Sequence, residues 1–328
     1  MKILWCTIDR SMHSAQHFDW FQKAVADVNN VNRSIDSKVD FIRLDTRGFT
    51  GRMFGEAIAK GDLDIGPVIT KHLNKNDDYD FIFTDSLFAF KHPEWEDIKI
   101  PKGYLLEDLH EVMPKQQVEF AIQHGFDAVF TRYLHPLKEF HPEVYNNHKI
   151  FWLPHCIVKE DFVEYATHNK KVTDVLHTGN VGKYYPFRKF IINSLKDKPY
   201  FKHIPRIHDK HRATHPTGVN YIKELSLAKI HPTDGSKLNY AVCKFMQIPA
   251  SNCLLMSPYF FELHELGFTN GENFVATNYE ALVSQIEYYL KHEDERKRIS
   301  KNGQDLIFEK HTTEVRAKEF LKQVETII

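Results

Sequence analysis

The feature that most constrains this chain is an alternation of short runs rich in Ile, Val and Phe with longer stretches of helical periodicity. In the first half the runs are KILWCTI (2–8), VDFIRLD (39–45), DFIFTD (80–85), GYLLED (103–108), DAVFTRY (127–133) and KIFWLPH (149–155). Near-continuous apolar runs of this length are how strands buried on both faces of a parallel sheet read. Between them lie AQHFDWFQKAVADVNN (15–30) and KQQVEFAIQHG (115–125), each long enough for a right-handed crossover helix. The pattern predicts a doubly wound α/β domain with six strands.

The alternation restarts after LPHCIVKEDF (153–162) and the polar ATHNKK, with TDVLHT, LAKIHPT (227–233), CLLMS (253–257) and NFVAT (273–277), then three helical stretches. A length of 328 residues suits two domains of roughly 150 residues each. The chain reads as two Rossmann-like α/β domains, residues 1–160 and 161–311, facing across a cleft. A terminal helix, 312–328, is expected to pack back across the junction. In open α/β sheets ligands sit beyond the carboxyl ends of the strands, so function is expected in the loops that follow them.

Composition narrows the classes. Lys and Arg total 43 against 44 acidic residues, a formal charge of -1, so there is no global field to draw in phosphate polymers and nucleic-acid binding is disfavoured. Cys6, Cys156, Cys243 and Cys253 show neither CxxC spacing nor the density of a disulfide scaffold, which fits a reducing cytoplasm. KILWCTI is too short for a signal-peptide core or a membrane span, so a soluble protein is expected. There is no low-complexity tract and no short repeat.

Two segments carry candidate chemistry. VLHTGNVGKYYPFRKFIINSL (175–195) is a strand, a glycine-containing turn and a helix. Gly179 and Gly182 permit close backbone approach, the helix start favours anions, and Lys183 and Arg188 add full charges suited to a diphosphate. Glycines also end strands with no ligand present, and the segment is neither a P-loop nor a GxGxxG fingerprint. In SKLNYAVCKFMQIPAS (236–251), Leu238, Val242, Phe245 and Ile248 have helical spacing, and Ser251-Asn252 turns the chain into CLLMS. On such a helix Asn239 and Gln247, eight residues apart, stand near one face, either meeting one ligand or simply solvated. Lys244, Gln247 and Pro249 interrupt an otherwise apolar KFMQIPASNCLLMSP.

From residue 172 onward the chain resembles the group 1 glycosyltransferases of GT-B fold, especially their spore-maturation-type subgroup. The resemblance rests on KFMQIPASNCLLMS, where that subgroup has a helix like KFFEIMASG; on ELHELGFTNGENFV (262–275); on residues 279–321, with ERKRISKNG and HTTEVRA in order; and on TGNVGKYYPFR with its YPxR ending. It implies transfer of a sugar from a nucleotide-sugar, as co-substrate, to a hydroxyl of a glycan or small-molecule acceptor. Retention is the usual outcome, and neither a metal nor a prosthetic group is required. The donor would be held by the second domain, with Gly179, Asn180, Lys183 and Arg188 near the diphosphate and Asn239, Tyr240, Lys244 and Gln247 around nucleoside and sugar. Pro258 and Tyr259 fall on the loop that reaches the diphosphate or base. Two glutamates that the family often carries fall on Asn239 and Gln247, whose amides hydrogen-bond hydroxyls but cannot act as a base or bear charge.

In the first domain, EDLHEVMP (107–114) follows a strand. The resemblance makes His110 a contact to the transferred sugar; Asp108 is a general base if the reaction inverts, or a helix N-cap. Asp9, Arg10 and His13 in TIDRSMH, with Asp85-Ser86, are candidate acceptor contacts, and His155 falls in the interdomain segment. His203, His208, His211 and His215 are read as an exposed loop rather than a zinc site, because metal binding needs convergence and a supporting shell while Pro205 and Pro216 argue for irregular backbone. Asp62 and Asp64 of DLD are read as capping. The missing glutamates leave a non-catalytic nucleotide-sugar or glycan-binding protein as the competing class. A transferase acting on modified DNA bases is a third.

Overall fold

The computed structural model describes residues 1–8, 38–44, 68–73, 78–85, 93–106, 109, 113–166, 170–179, 181–205, 216 and 218–328. The chain forms two compact units, one of Met1–Pro154 with Glu314–Ile328, the other His155–Thr313.

All six apolar runs of the first half form strands: β1 (Lys2–Ile8), β2 (Lys38–Leu44), β3 (Phe81–Thr84), β4 (Lys102–Leu106), β5 (Ala128–Thr131) and β6 (Lys149–Trp152). They make one sheet in the order β2-β1-β3-β4-β5-β6, with every pairing parallel. β3, β4 and β5 are buried throughout, which is why their sequences show no polar alternation. The terminal helix Thr313–Glu325 buries Ala317, Phe320, Leu321 and Val324, one apolar stripe at helical spacing. Its Phe320 ring lies 5.3 Å from Trp5, 4.9 Å from Phe83 and 5.3 Å from Phe130, so three sheet aromatics close around it. That packing explains why the last fifteen residues belong with the first unit.

The second unit contains β7 (Thr173–Gly179), β8 (Phe201–Pro205), β9 (Ala228–Pro232), β10 (Leu254–Ser257) and β11 (Val275–Ala276), in the order β11-β10-β9-β7-β8. Here too all pairings are parallel. In both sheets the second strand lies on one side of the first and the third on the other. Each sheet therefore has a switch point, between β1 and β3 and between β7 and β9, where adjacent connections leave in opposite directions and open a crevice at the carboxyl ends. The second core joins Val175, Ile230, Leu254 and Met256 of the sheet to Phe187, Ile191, Leu195, Leu282, Ile286 and Ile299 of flanking helices.

Two expectations need correction. β8 lies in part within the segment read as an irregular loop, and His203 is one of its strand residues. An edge strand with only partly buried side chains, FKHIP, lacks the apolar run that marks the inner strands. The helix expected over 236–251 is confined to Lys244–Ala250. Residues 236–239 form turns, because Ser236 N–H donates to Asp234 Oδ1, Leu238 N–H donates to Ser236 Oγ, and Ser236 and Asn239 take left-handed φ of 64° and 53°. Pro249 sits near the end of the short helix, against helix Glu293–Lys310. A Cβ on Gly303 of that helix would come within 3.2 Å of Pro249 Cβ and 2.6 Å of the Asn273 carbonyl oxygen, so only glycine fits this crossing.

Among the described residues, no helix is long and apolar enough to cross a membrane. None of their His, Cys, Asp and Glu side chains gather in threes to hold a metal ion.

Candidate functional site

The predicted donor residues Gly179, Arg188 and Lys244 converge at the switch point between β7 and β9. Gly179 ends β7 with φ of 108°, and a Cβ there would lie 2.9 Å from Lys244 Cε and 3.5 Å from Arg188 Nη1. The backbone thus favours glycine, and a side chain there would push the flexible end of Lys244 aside. Lys244, at the start of its helix, directs Nζ to Thr178 Oγ1 at 2.7 Å and to the Tyr221 hydroxyl at 2.6 Å. Thr178 Oγ1 is also 3.0 Å from Tyr221 Oη and 3.0 Å from His231 Nε2.

Arg188 is almost completely buried. Its Nε lies 2.9 Å from Asp234 Oδ1, Nη2 donates to the Asp234 carbonyl at 3.1 Å, and its guanidinium stacks on Tyr185 at 3.8 Å. Burial raises the Asp234 pKa, and the Arg188 charge pulls it back. Arg188 therefore spends much of its charge inside the fold. Lys183 and Lys237, both exposed, place Nζ 4.9 and 4.7 Å from the centre of the Tyr184 ring. The two loops that carry them are tied by Lys237 N–H donating to the Tyr184 carbonyl at 2.8 Å.

Beneath this lies a row of histidines. His203, His177 and His231 occupy adjacent strands β8, β7 and β9, with ring centroids 5.6 and 5.7 Å apart. His177 and His231 both place Nδ1 against the Pro232 carbonyl, at 2.9 and 3.1 Å. Desolvation pushes the His177 pKa down to about 3 and that of His231 well below its ordinary value, so both rings are neutral near pH 7.

The other predicted residues scatter. Asn239 is exposed in a turn while Gln247 is buried within the short helix, so the two do not share a helix face. Tyr240 is buried, and its loop is pinned where Ala241 N–H donates to Glu262 Oε2 at 2.9 Å. Pro258 is half-buried and Tyr259 largely exposed after β10. In the first unit Asp85 sits at the β1/β3 switch point, buried, accepting from Trp5 Nε1 at 3.1 Å and Thr7 Oγ1 at 2.8 Å. Asp9, Arg10, His13, Ser86, Asp108, His110 and Asn180 lie outside the described residues, as do His208, His211, His215 and the DLD segment.

Sequence reasoning missed Thr178, Tyr221, His231, Asp234 and Lys237. A signal was present: β7 ends in HTG, and HPTDG runs from the end of β9 into its loop, so each places a histidine and then small or turn-forming residues at the crevice.

A chain of two parallel doubly wound sheets with this connectivity has the GT-B architecture. Residues 188–322 match the family described as glycosyl transferase-like. Among solved structures, sucrose-phosphate synthase from Thermosynechococcus elongatus superposes with a TM-score of 0.67 at 9% identity, covering 98% of both chains. HepE of Anabaena, solved with UDP and glucose, gives 0.61 at 10% identity, covering 99% of this chain and all of the other. UDP-GlcNAc 2-epimerase from Neisseria meningitidis gives 0.57 at 10% identity, over 99% and 100%. Identities this low speak for the fold alone. No curated protein matches the sequence. The glycosyl transferase-like match over residues 188–322 and the GT-B architecture of the whole chain point the same way.

Proposed function

We propose that the protein transfers a sugar from a nucleotide-sugar donor to a hydroxyl of a glycan or small-molecule acceptor, in the cytoplasm, with retention and without a metal. The observation that carries the donor assignment is the convergence of Lys244, Gly179 and Arg188 at the β7/β9 switch point, rimmed by Lys183 and Lys237. Cations fixed there offset the charge that develops on a departing diphosphate, the usual largest source of rate in such transfers. Because Asp234 balances much of the Arg188 charge, the lysines are assigned the larger share of that work. Gly179 and Asn180 are assigned to the diphosphate end, Gly179 by leaving room for the end of Lys244; Asn239, Tyr240, Gln247, Pro258 and Tyr259 remain assigned to the nucleoside and sugar end. Asp108 and His110 are assigned to the reacting centre, and Asp9, Arg10, His13 and Asp85 to the acceptor.

The HepE structure contains UDP, which makes uridine nucleotides the first donors to test. Incubation with UDP-, GDP- and ADP-sugars and an acceptor panel should release the nucleoside diphosphate, with activity retained in EDTA and the anomeric configuration kept in the product. Tight donor binding with neither hydrolysis nor transfer would leave the non-catalytic reading in place.

A further inference from the structure

We infer that Tyr221 and Thr178 are positioning residues that hold the Lys244 ammonium in place for the donor diphosphate before any ligand arrives. This rests on the donor-site reading above and adds the device that orients its central cation.

The hydrogen-bond directions follow from the groups present. His231 Nδ1 faces the Pro232 carbonyl, which can only accept, so Nδ1 carries the ring proton and Nε2 is an acceptor. Thr178 Oγ1, 3.0 Å from Nε2, must give its single hydrogen to that nitrogen. Its oxygen is then an acceptor towards both other neighbours, so Tyr221 O–H donates to Thr178 and Lys244 Nζ donates to both oxygens. Burial raises the Tyr221 pKa and keeps that phenol protonated, as the arrangement requires. The order is determined from the Pro232 carbonyl outward: a neutral imidazole fixes Thr178, and Thr178 with Tyr221 fixes Lys244.

The four residues come from β7, β9, helix Gly218–Ser226 and helix Lys244–Ala250. A lysine ammonium rides on a flexible stem, and ordering it during binding would cost rotamer entropy. Two neutral acceptors fix its direction without cancelling its charge, unlike the carboxylate that faces Arg188. Such preorganisation strengthens binding to whatever the cation touches and to nothing else on the ligand.

The test compares UDP with uridine, which lacks the diphosphate, by calorimetric or fluorescence titration of the full chain. GDP with guanosine, or ADP with adenosine, replaces them if that diphosphate binds wild type better. Tyr221→Phe and Thr178→Val should each weaken diphosphate binding about tenfold while nucleoside binding is unchanged, and Thr178→Ser should restore it. In a Lys244→Ala background Tyr221→Phe should have no further effect. If Lys244→Ala weakens diphosphate binding but Tyr221→Phe does not, or if Tyr221→Phe weakens diphosphate and nucleoside equally, the positioning role is overturned while the donor site stands. If no diphosphate binds wild type, or Lys244→Ala changes nothing, the donor-site reading itself falls.

Discussion

Arg188 and Asp234 form a buried ion pair in which one guanidinium serves both the carboxylate, Nε to Oδ1 at 2.9 Å, and the carbonyl of the same residue, Nη2 to O at 3.1 Å. The pair clamps the loop after β9 to the helix after β7, on either side of the crevice. Breaking a buried pair by removing one partner leaves the other charge desolvated, so Arg188→Ala or Asp234→Ala should destabilise the protein by about 3–5 kcal/mol. Arg188→Lys should recover little of this, because an ammonium lacks the fork that reaches both oxygens. Lys183→Ala, at an exposed position, should leave urea unfolding within about 0.5 kcal/mol of wild type and weaken diphosphate binding instead. The two substitutions thus separate a residue that builds the site from one that faces the ligand.

The buried histidines predict an acid-sensitive second unit. The unfolded chain takes up a proton at His177 as pH falls through about 6.5, whereas the folded chain resists until about 3. Stability carried by the neutral ring is complete above pH 6.5 and lost progressively between those values, at about 1.4 kcal/mol per pH unit. His177→Asn keeps a donor near the Pro232 carbonyl and cannot titrate. Urea midpoints at pH 7, 6 and 5 should fall less steeply for the variant than for wild type; equal slopes would show that His177 does not carry the effect.

How much of this was legible in the sequence depended on how local the cause was. The inner strands were readable because burial on both faces leaves a continuous apolar run, as in FIFT of β3 and LLMS of β10. β8 was not, since an edge strand has no such run. The helix start near Lys244 was misjudged because Leu238 and Val242 fit a helical period by spacing alone, while Asp234, Gly235 and Ser236 supplied turn chemistry that won. Gly179, Lys183, Arg188 and Lys244 could be nominated from their own surroundings. Tyr221 and His231 could not, because they meet Thr178 across 43 and 53 residues of sequence and only the strand order brings them together.

The aromatic seat of Phe320 makes the end of the chain a structural part of the first unit. Phe320→Ala removes the ring shared by Trp5, Phe83 and Phe130 and should cost about 3–5 kcal/mol, since the rigid sheet behind it cannot collapse into the space. Hydrogen exchange would localise the damage. Amides of β1, β3 and β5 should lose protection while those of β7, β9 and β10 keep theirs. Uniform loss in both sheets would mean that the two units unfold together.

Gly179 links fold and function at a single atom. Its φ of 108° lies where a side chain is strained, and a Cβ would press on Lys244 Cε at 2.9 Å. Gly179→Ala should therefore destabilise the protein by about 1–3 kcal/mol through the backbone. It should also displace the end of the lysine, because a flexible stem yields before a strand does. Nucleoside diphosphate affinity should fall about as far as in Lys244→Ala, and in the Lys244→Ala background Gly179→Ala should cost stability but no further affinity. An additional affinity loss in that background would mean that the ligand touches the Gly179 backbone directly and that close approach, rather than the lysine's position, is what the glycine protects.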